Sequence, residues 1–208
     1  MNGSRQRLYT AEEDASSPTV STKALLLTAA IDAYEGKSIA TCDITGAFLK
    51  ADMKEFVLIV LRNNEIDALI QTNKKYKKYI KVLDNGKRLL YLQLIKAMYS
   101  YLKSAQLFWE HLSPYLKKLG LKQNQYDLCV TNKQINGKTC TIAWHVDDLK
   151  ISHEEKDVVN QTIKDLEKEY GKMSVTTGDV HIYCGMTLQF VDQTVFIDMK
   201  EYLLEAIS

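Results

Sequence analysis

Two adjacent aspartates, Asp147 and Asp148, stand between apolar runs, Thr141-Ile142-Ala143-Trp144 before them and Leu149-Lys150-Ile151 after them. Such runs, rich in β-branched and aromatic residues, read as buried strands, and a polar break between them reads as a tight turn. The pair therefore sits at the tip of a β-hairpin. Carboxylates held side by side repel, so one takes up a proton or both find a cation. A hard, oxygen-seeking ion such as Mg²⁺ resolves the repulsion. An aspartate pair is also an ordinary turn device, because Asp tolerates turn geometry and hydrogen-bonds its own backbone. The pair alone leaves both readings open.

The surrounding pattern builds a sheet for this hairpin. Cys129 to Gln134, Asn136-Gly137 and Thr139 to His145 form an Asn-Gly hairpin signal whose outgoing strand runs into the aspartates. Leu149 to Ser152 is a further strand. Ser38 to Ile44 is another, and it carries a third carboxylate, Asp43, after the apolar lead Ile39-Ala40-Thr41-Cys42. If that strand pairs with the hairpin, three carboxylates converge, the ligand set of two-metal phosphoryl transfer.

Other segments complete an α+β class with a mixed or antiparallel sheet packed on helices. Residues 1 to 20 are polar and aperiodic and read as a flexible lead-in. Ser21 or Thr22 caps an Ala/Leu-rich, buried helix that runs to Tyr34 and is closed by Gly36. Phe56 to Leu61 is a strand. Tyr79 to Leu83 and Leu89 to Leu94 flank an Asn-Gly turn. Leu102, Ala105, Trp109, Leu112, Leu116 and Leu119 repeat at helical spacing up to Gly120, with Pro114 inside as a break or kink. Ser152-His153-Glu154-Glu155 is a capping-box pattern opening a helix with inner face Val159, Ile163, Leu166 and Tyr170. His181 to Val191 and Thr194 to Met199 form a last strand pair, and a short helix spans Lys200 to Ile207.

The 208 residues suffice for one substantial core, and a formal charge of +1 announces no nucleic-acid partner. Local charge is more telling. Lys74 to Arg88 carries seven basic residues against one acid, with Tyr76 and Tyr79 among them. Such a stretch, through Lys74, Lys75, Lys77 and Lys78, can track a phosphate backbone, or it can be a solvated face. Cys42, Cys129, Cys140 and Cys184 show no metal-site spacing and read as reduced thiols of an intracellular, cytoplasmic protein. No apolar run reaches membrane-spanning length, and no signal peptide is present. Oligomeric state is not legible.

Several segments, in order over about residues 15 to 208, resemble the reverse transcriptases of copia-type long-terminal-repeat retrotransposons. Asp43-Ile44-Thr45-Gly46-Ala47-Phe48-Leu49 is similar to motif A of that family, and Lys96-Ala97-Met98-Tyr99 with Trp109 beyond it to motif B. Trp144-His145-Val146-Asp147-Asp148-Leu149 resembles motif C. Gly120-Leu121 and Tyr126-Asp127-Leu128-Cys129-Val130 match the lead into motif C. Tyr183-Cys184-Gly185-Met186 resembles the primer grip, and Lys200-Glu201-Tyr202 the helix after it. Each is weak alone; their joint order is specific.

The resemblance implies an RNA-directed DNA polymerase with a palm, partial fingers over about 51 to 94 and no thumb, the polymerase domain spanning 21 to 208. It implies two Mg²⁺ ions, with Mn²⁺ as a substitute, on Asp43, Asp147 and Asp148. The partners would be an RNA or DNA template with its primer and deoxynucleoside triphosphates, in a retrotransposon particle where the chain belongs to a full polyprotein. Ile44 and the backbone up to Phe48 would face the triphosphate, Phe48 would exclude a ribose 2′-OH, and Tyr99 would position the base and sugar. Lys172 is the nearest candidate to protonate pyrophosphate. Gly185 and Met186 would hold the primer. The chain departs from the family pattern at His145 for tyrosine, Ser100 for glycine, Leu102, Ala105 and Gln106 for Lys, Pro and Arg, and Cys184 for leucine. Missing fingers and Ser100 keep open an inactive remnant that retains the fold. A third reading, an unrelated metal-dependent phosphohydrolase, rests on the carboxylates alone.

Overall fold

The computed structural model describes residues 16 to 207, so most of the 1–20 lead-in lies outside the described residues. Ser21 starts helix α1 (Thr22–Tyr34), its hydroxyl accepting the Ala24 N–H at 3.2 Å. The helix buries one side, through Leu25, Ala29, Asp32 and Ala33, and leaves Leu26, Leu27 and Ile31 exposed. The expected buried helix is therefore buried on one face only. Gly36, at φ 61, turns the chain into β1 (Ser38–Asp43).

A smaller unit follows. It comprises β2 (Leu58–Arg62), helix α2 (Asn63–Thr72), a 3-10 stretch over Lys74–Tyr79, β3 (Lys81–Val82) and β4 (Arg88–Gln93). The three strands form an antiparallel sheet in the order β2-β4-β3. Helix α2 is an addition to the expected elements; it begins where Glu65 accepts the Arg62 N–H at 2.8 Å. Arg88 anchors it from β4 with two hydrogen bonds to the Asp67 carboxylate, at 2.7 and 2.6 Å.

Helix α3 (Ser104–Lys118) runs through Pro114 without a break. Pro114 faces solvent, while Leu107, Phe108, Leu112, Ser113 and Leu116 pack beneath it. Burial along that face holds the helix together despite the hydrogen bond that proline removes. Then come β5 (Lys122–Gln123), β6 (Val130–Ile135), β7 (Lys138–His145), β8 (Asp148–His153), helix α4 (Lys156–Tyr170) and β9 (Ser174–Thr177). The large sheet has the order β5-β6-β7-β8-β1-β9, and every neighbouring pair is antiparallel. Asn136 and Gly137, both at positive φ, make the two-residue turn between β6 and β7.

Helix α4 buries Val159, Ile163, Leu166 and Tyr170, the inner face its spacing predicts. Its expected cap is corrected. Ser152 belongs to β8, and its hydroxyl donates to Asp32 at 2.6 Å. The loop is instead fixed by the Glu155 N–H, which donates to His153 Nδ1 at 3.0 Å.

The segment 181–191 is two strands, not one. β10 (Val180–Tyr183) turns at Cys184-Gly185 into β11 (Met186–Val191), and β12 (Thr194–Asp198) completes a second antiparallel sheet. Helix α5 (Lys200–Ile207) follows.

Alternation along β7, β8 and β1 distributes side chains to two layers. Cys42, Ile142, Trp144, Leu149 and Ile151 join Phe108, Leu112, Leu116 and Leu166 of α3 and α4 in one core. Thr41, Lys150 and Ser152 face the other way, toward Asp32 of α1 and His181 of β10. Cys42, Cys129 and Cys140 are buried free thiols, and Cys184 is half-buried and free. Among the described residues, no helix is long and apolar enough to cross a membrane.

Candidate active site

Strand register brings the carboxylates to one end of the large sheet. Asp43 closes β1 and Asp148 opens β8, and the two are direct backbone partners. Partners across an antiparallel pair project to the same face. Asp148 is also paired with His145, which leaves Val146 and Asp147 as a two-residue turn. Val146 adopts φ 57, a left-handed conformation that costs a β-branched residue dearly. Such strain persists where the surroundings over-determine the backbone. One restraint is visible: the Ile44 N–H donates to the Asp147 carbonyl at 3.1 Å, fastening the turn to the end of β1.

The carboxylates at this end repel one another. Burial, and then repulsion from Asp147, raise the Asp43 carboxyl above the ordinary carboxylate range. Burial raises Asp148 as well, followed by repulsion from Asp147 and Asp43, with His145 offsetting part of the shift. Lys150 does not relieve this repulsion; its ammonium is fully buried and committed to Asp32. A carboxyl with a raised folded pKa costs stability in full above that folded pKa; the cost shrinks as the pH falls through it and is gone below the unfolded value. Asp148→Asn is therefore expected to raise the Tm of the metal-free chain at neutral pH, with the gain fading on acidification through the raised carboxyl pKa. Mg²⁺ should then raise the wild-type Tm more than the variant's. A variant Tm at or below wild type at neutral pH contradicts the repulsion.

The donors suit a hard divalent cation, since all are carboxylate oxygens. They are not drawn into a finished cage. Among the described residues, no group of three His, Cys, Asp or Glu side chains is gathered to hold a metal ion. Mg²⁺ does not need one, because it is commonly held by one or two carboxylates, water and substrate phosphates. The residues present therefore fit that ion with substrate completing its shell.

The other expected residues fall at varied distances from this end. The Phe48 ring packs edge-on against Tyr99 at 4.7 Å between centroids and against Phe108 at 6.4 Å. The Tyr99 hydroxyl makes a long 3.5 Å contact to Asp147 Oδ2. Burial first, and then Asp147 and Asp43, push the Tyr99 phenol up. Ile44 is fully buried and its amide is already engaged, so it can serve a nucleotide only through the backbone it holds. Lys172 is exposed two residues before Ser174, which lies opposite Asp43 in β9. Sequence reasoning passed over Lys50, whose Nζ stands 3.9 Å from the position of a Cβ on Gly171.

Lys74, Lys75, Lys77 and Lys78 are exposed on the 3-10 stretch of the smaller unit, with Lys78 Nζ 4.9 Å from the Tyr79 ring centroid. Gly185, at φ 74, occupies the β10–β11 turn, where the Tyr202 ring would crowd any Cβ at 3.0 Å. Met186 is buried core, so only the backbone there can meet a primer. A half-open cavity of about 170 Å³ lies at the far end of β7, among Leu119, Ile135, Cys140 and Val158, and shares no residue with the carboxylates.

Two buried features went unforeseen. One is the ionic group of Asp32, Lys37 and Lys150. The other is the Tyr183 hydroxyl, set against the hairpin's backbone. Lys150 inside an apolar strand was the available signal for the first.

No curated protein matches the chain. Among solved structures it is similar to apo telomerase from Candida tropicalis, at 12% identity and a TM-score of 0.47, covering 94% of this chain and 39% of that one. It thus spans well under half of that relative's length. A family profile described as reverse transcriptase (RNA-dependent DNA polymerase) matches residues 1–208. With that profile reaching from the first residue to the last, the chain belongs to the reverse transcriptase family.

Proposed function

We propose that the chain is the palm-centred part of a copia-type element's reverse transcriptase and adds deoxynucleotides to a primer 3′-OH on an RNA or DNA template. The observation that carries this is the register pairing of Asp43 with Asp148, with Asp147 in the turn beside them. In this reading residues 21–208 form the polymerase domain, with the unit around β2–β4 as partial fingers.

Asp43 and Asp147 would hold two metal ions, with Asp148 as the secondary ligand. Bound there, Mg²⁺ supplies a lowered pKa at the attacking hydroxyl and neutralises charge on the phosphate oxygens. The protein's share is position and charge. Phe48, braced by Tyr99 and Phe108, presents a ring where a ribose 2′-OH would collide. Tyr99 steadies the incoming base and sugar. Lys172 would give a proton to pyrophosphate. Lys74, Lys75, Lys77 and Lys78 offer charge to a template backbone, and the Gly185 turn offers backbone to the primer.

A second reading, a remnant that keeps the fold without turnover, is favoured by Ser100. Its φ of 72 demands the conformation that glycine adopts freely, beside the Tyr99 that the reaction needs. Primer extension on poly(rA)/oligo(dT) with Mg²⁺ or Mn²⁺ separates the two. Template-dependent extension establishes the polymerase; a folded chain that extends nothing leaves the remnant.

A further inference from the structure

β10 lies beneath the carboxylate strands and sends two alternate residues into them. His181 places Nε2 2.8 Å from the Gly178 carbonyl and Nδ1 3.1 Å from the Thr41 hydroxyl. Only a protonated Nε2 can donate to a carbonyl, so in the neutral ring Nδ1 accepts from Thr41. Tyr183, buried at 2% exposure, sets its hydroxyl 3.1 Å from the Ala143 carbonyl and 3.3 Å from the Asp148 carbonyl. One phenolic proton is thus shared between the two strands that flank the aspartate turn.

We propose that Tyr183 is a positioning residue for the catalytic hairpin. Consecutive carbonyls, Asp147 and Asp148, are each met by a donor from a different element. The Ile44 N–H, just past the end of β1, holds the first, and the Tyr183 hydroxyl reaches the second from β10. Together they over-determine the backbone around Val146, which is otherwise strained at φ 57. Tyr183 also enters the Cys184-Gly185 turn directly, so it joins the carboxylates to the segment proposed to hold the primer end. The hydroxyl is the specific element, because a phenylalanine ring would fill the same core.

The inference rests on the polymerase reading for its metal, so its test has two independent arms. Tyr183→Phe removes only the hydroxyl. Tyr115→Phe is the control, since it removes a 2.6 Å bond to the Asp165 carbonyl in the helical layer. Both variants of the 208-residue chain should fold, each with a Tm lower by about 3 °C. Mn²⁺ binding, read by electron paramagnetic resonance, should weaken about tenfold in Tyr183→Phe and stay at the wild-type value in Tyr115→Phe. Amide hydrogen exchange at residues 146 to 149 of the metal-free chain should quicken only in Tyr183→Phe. If the wild type binds Mn²⁺ and Tyr183→Phe binds it equally well, the positioning role is overturned. If the wild type binds no Mn²⁺, the metal reading fails, and exchange alone decides: quickened exchange sustains the role and unchanged exchange overturns it.

Discussion

Asp147→Asn is expected to cut primer extension by about a thousandfold while the fold stays intact, a loss of the size seen when one group stabilising transition-state charge is removed. The substitution keeps shape and removes charge. Asp147 lies in a half-buried turn held through its backbone carbonyl, not its side chain, so the turn has no reason to open. Among the described residues, its one side-chain hydrogen bond is the long one from Tyr99, which an amide oxygen can still accept. Asp147 is also a source of repulsion at both Asp43 and Asp148. Its neutralisation should leave the metal-free Tm at or above the wild-type value. Extension, Tm and circular dichroism measured on the same preparation check this. Extension above about a tenth of wild type, with the fold intact, would remove Asp147 from the metal-holding role.

The contrast between what the chain announces and what it hides follows from the range of the interactions. The Asn136-Gly137 turn, the strand ending on Asp43 and the inner face of α4 are local patterns of two to four residues' reach, and all three stand where the sequence puts them. Helix α2 escaped notice because its apolar stripe, Ile66, Leu69 and Ile70, is one turn long and only Ile66 is fully buried. β9 is an exposed edge strand, Ser174–Thr177, and owes its conformation to β1 rather than to its own pattern. The break at Cys184 was hidden because cysteine is not a turn residue, yet it takes φ 51 there. Ser152 reads locally as a helix cap and is instead claimed by Asp32, 120 positions away. The candidate site divides the same way. Its carboxylates are legible because charge stands out in an apolar strand, whereas the Tyr183 hydroxyl reaches across 40 and 35 positions to its two carbonyls.

Asp32→Ala is expected to be the most destabilising single change in the described structure, at about 3–5 kcal/mol, because it strands buried charge. Asp32 is 1% exposed and receives Lys150, itself fully buried, together with the Ser152 hydroxyl at 2.6 Å and Lys37 at 3.6 Å. Domains of this size are stable by only about 5–15 kcal/mol, so the Tm should fall by about 10 °C or more. The reverse deletion is milder. Lys150→Met leaves Asp32 with Ser152 and Lys37, and Lys37 keeps Glu35 at 2.8 Å. The double variant Asp32→Ala, Lys150→Met should be more stable than Asp32→Ala, since neither member of the principal pair is left alone. Urea denaturation of the three variants measures the coupling. A double variant as unstable as the sum of its singles would show that packing, not charge pairing, holds α1 to β8. The strand at stake is the one that opens on Asp148, so a loss here removes the support from which the carboxylates project.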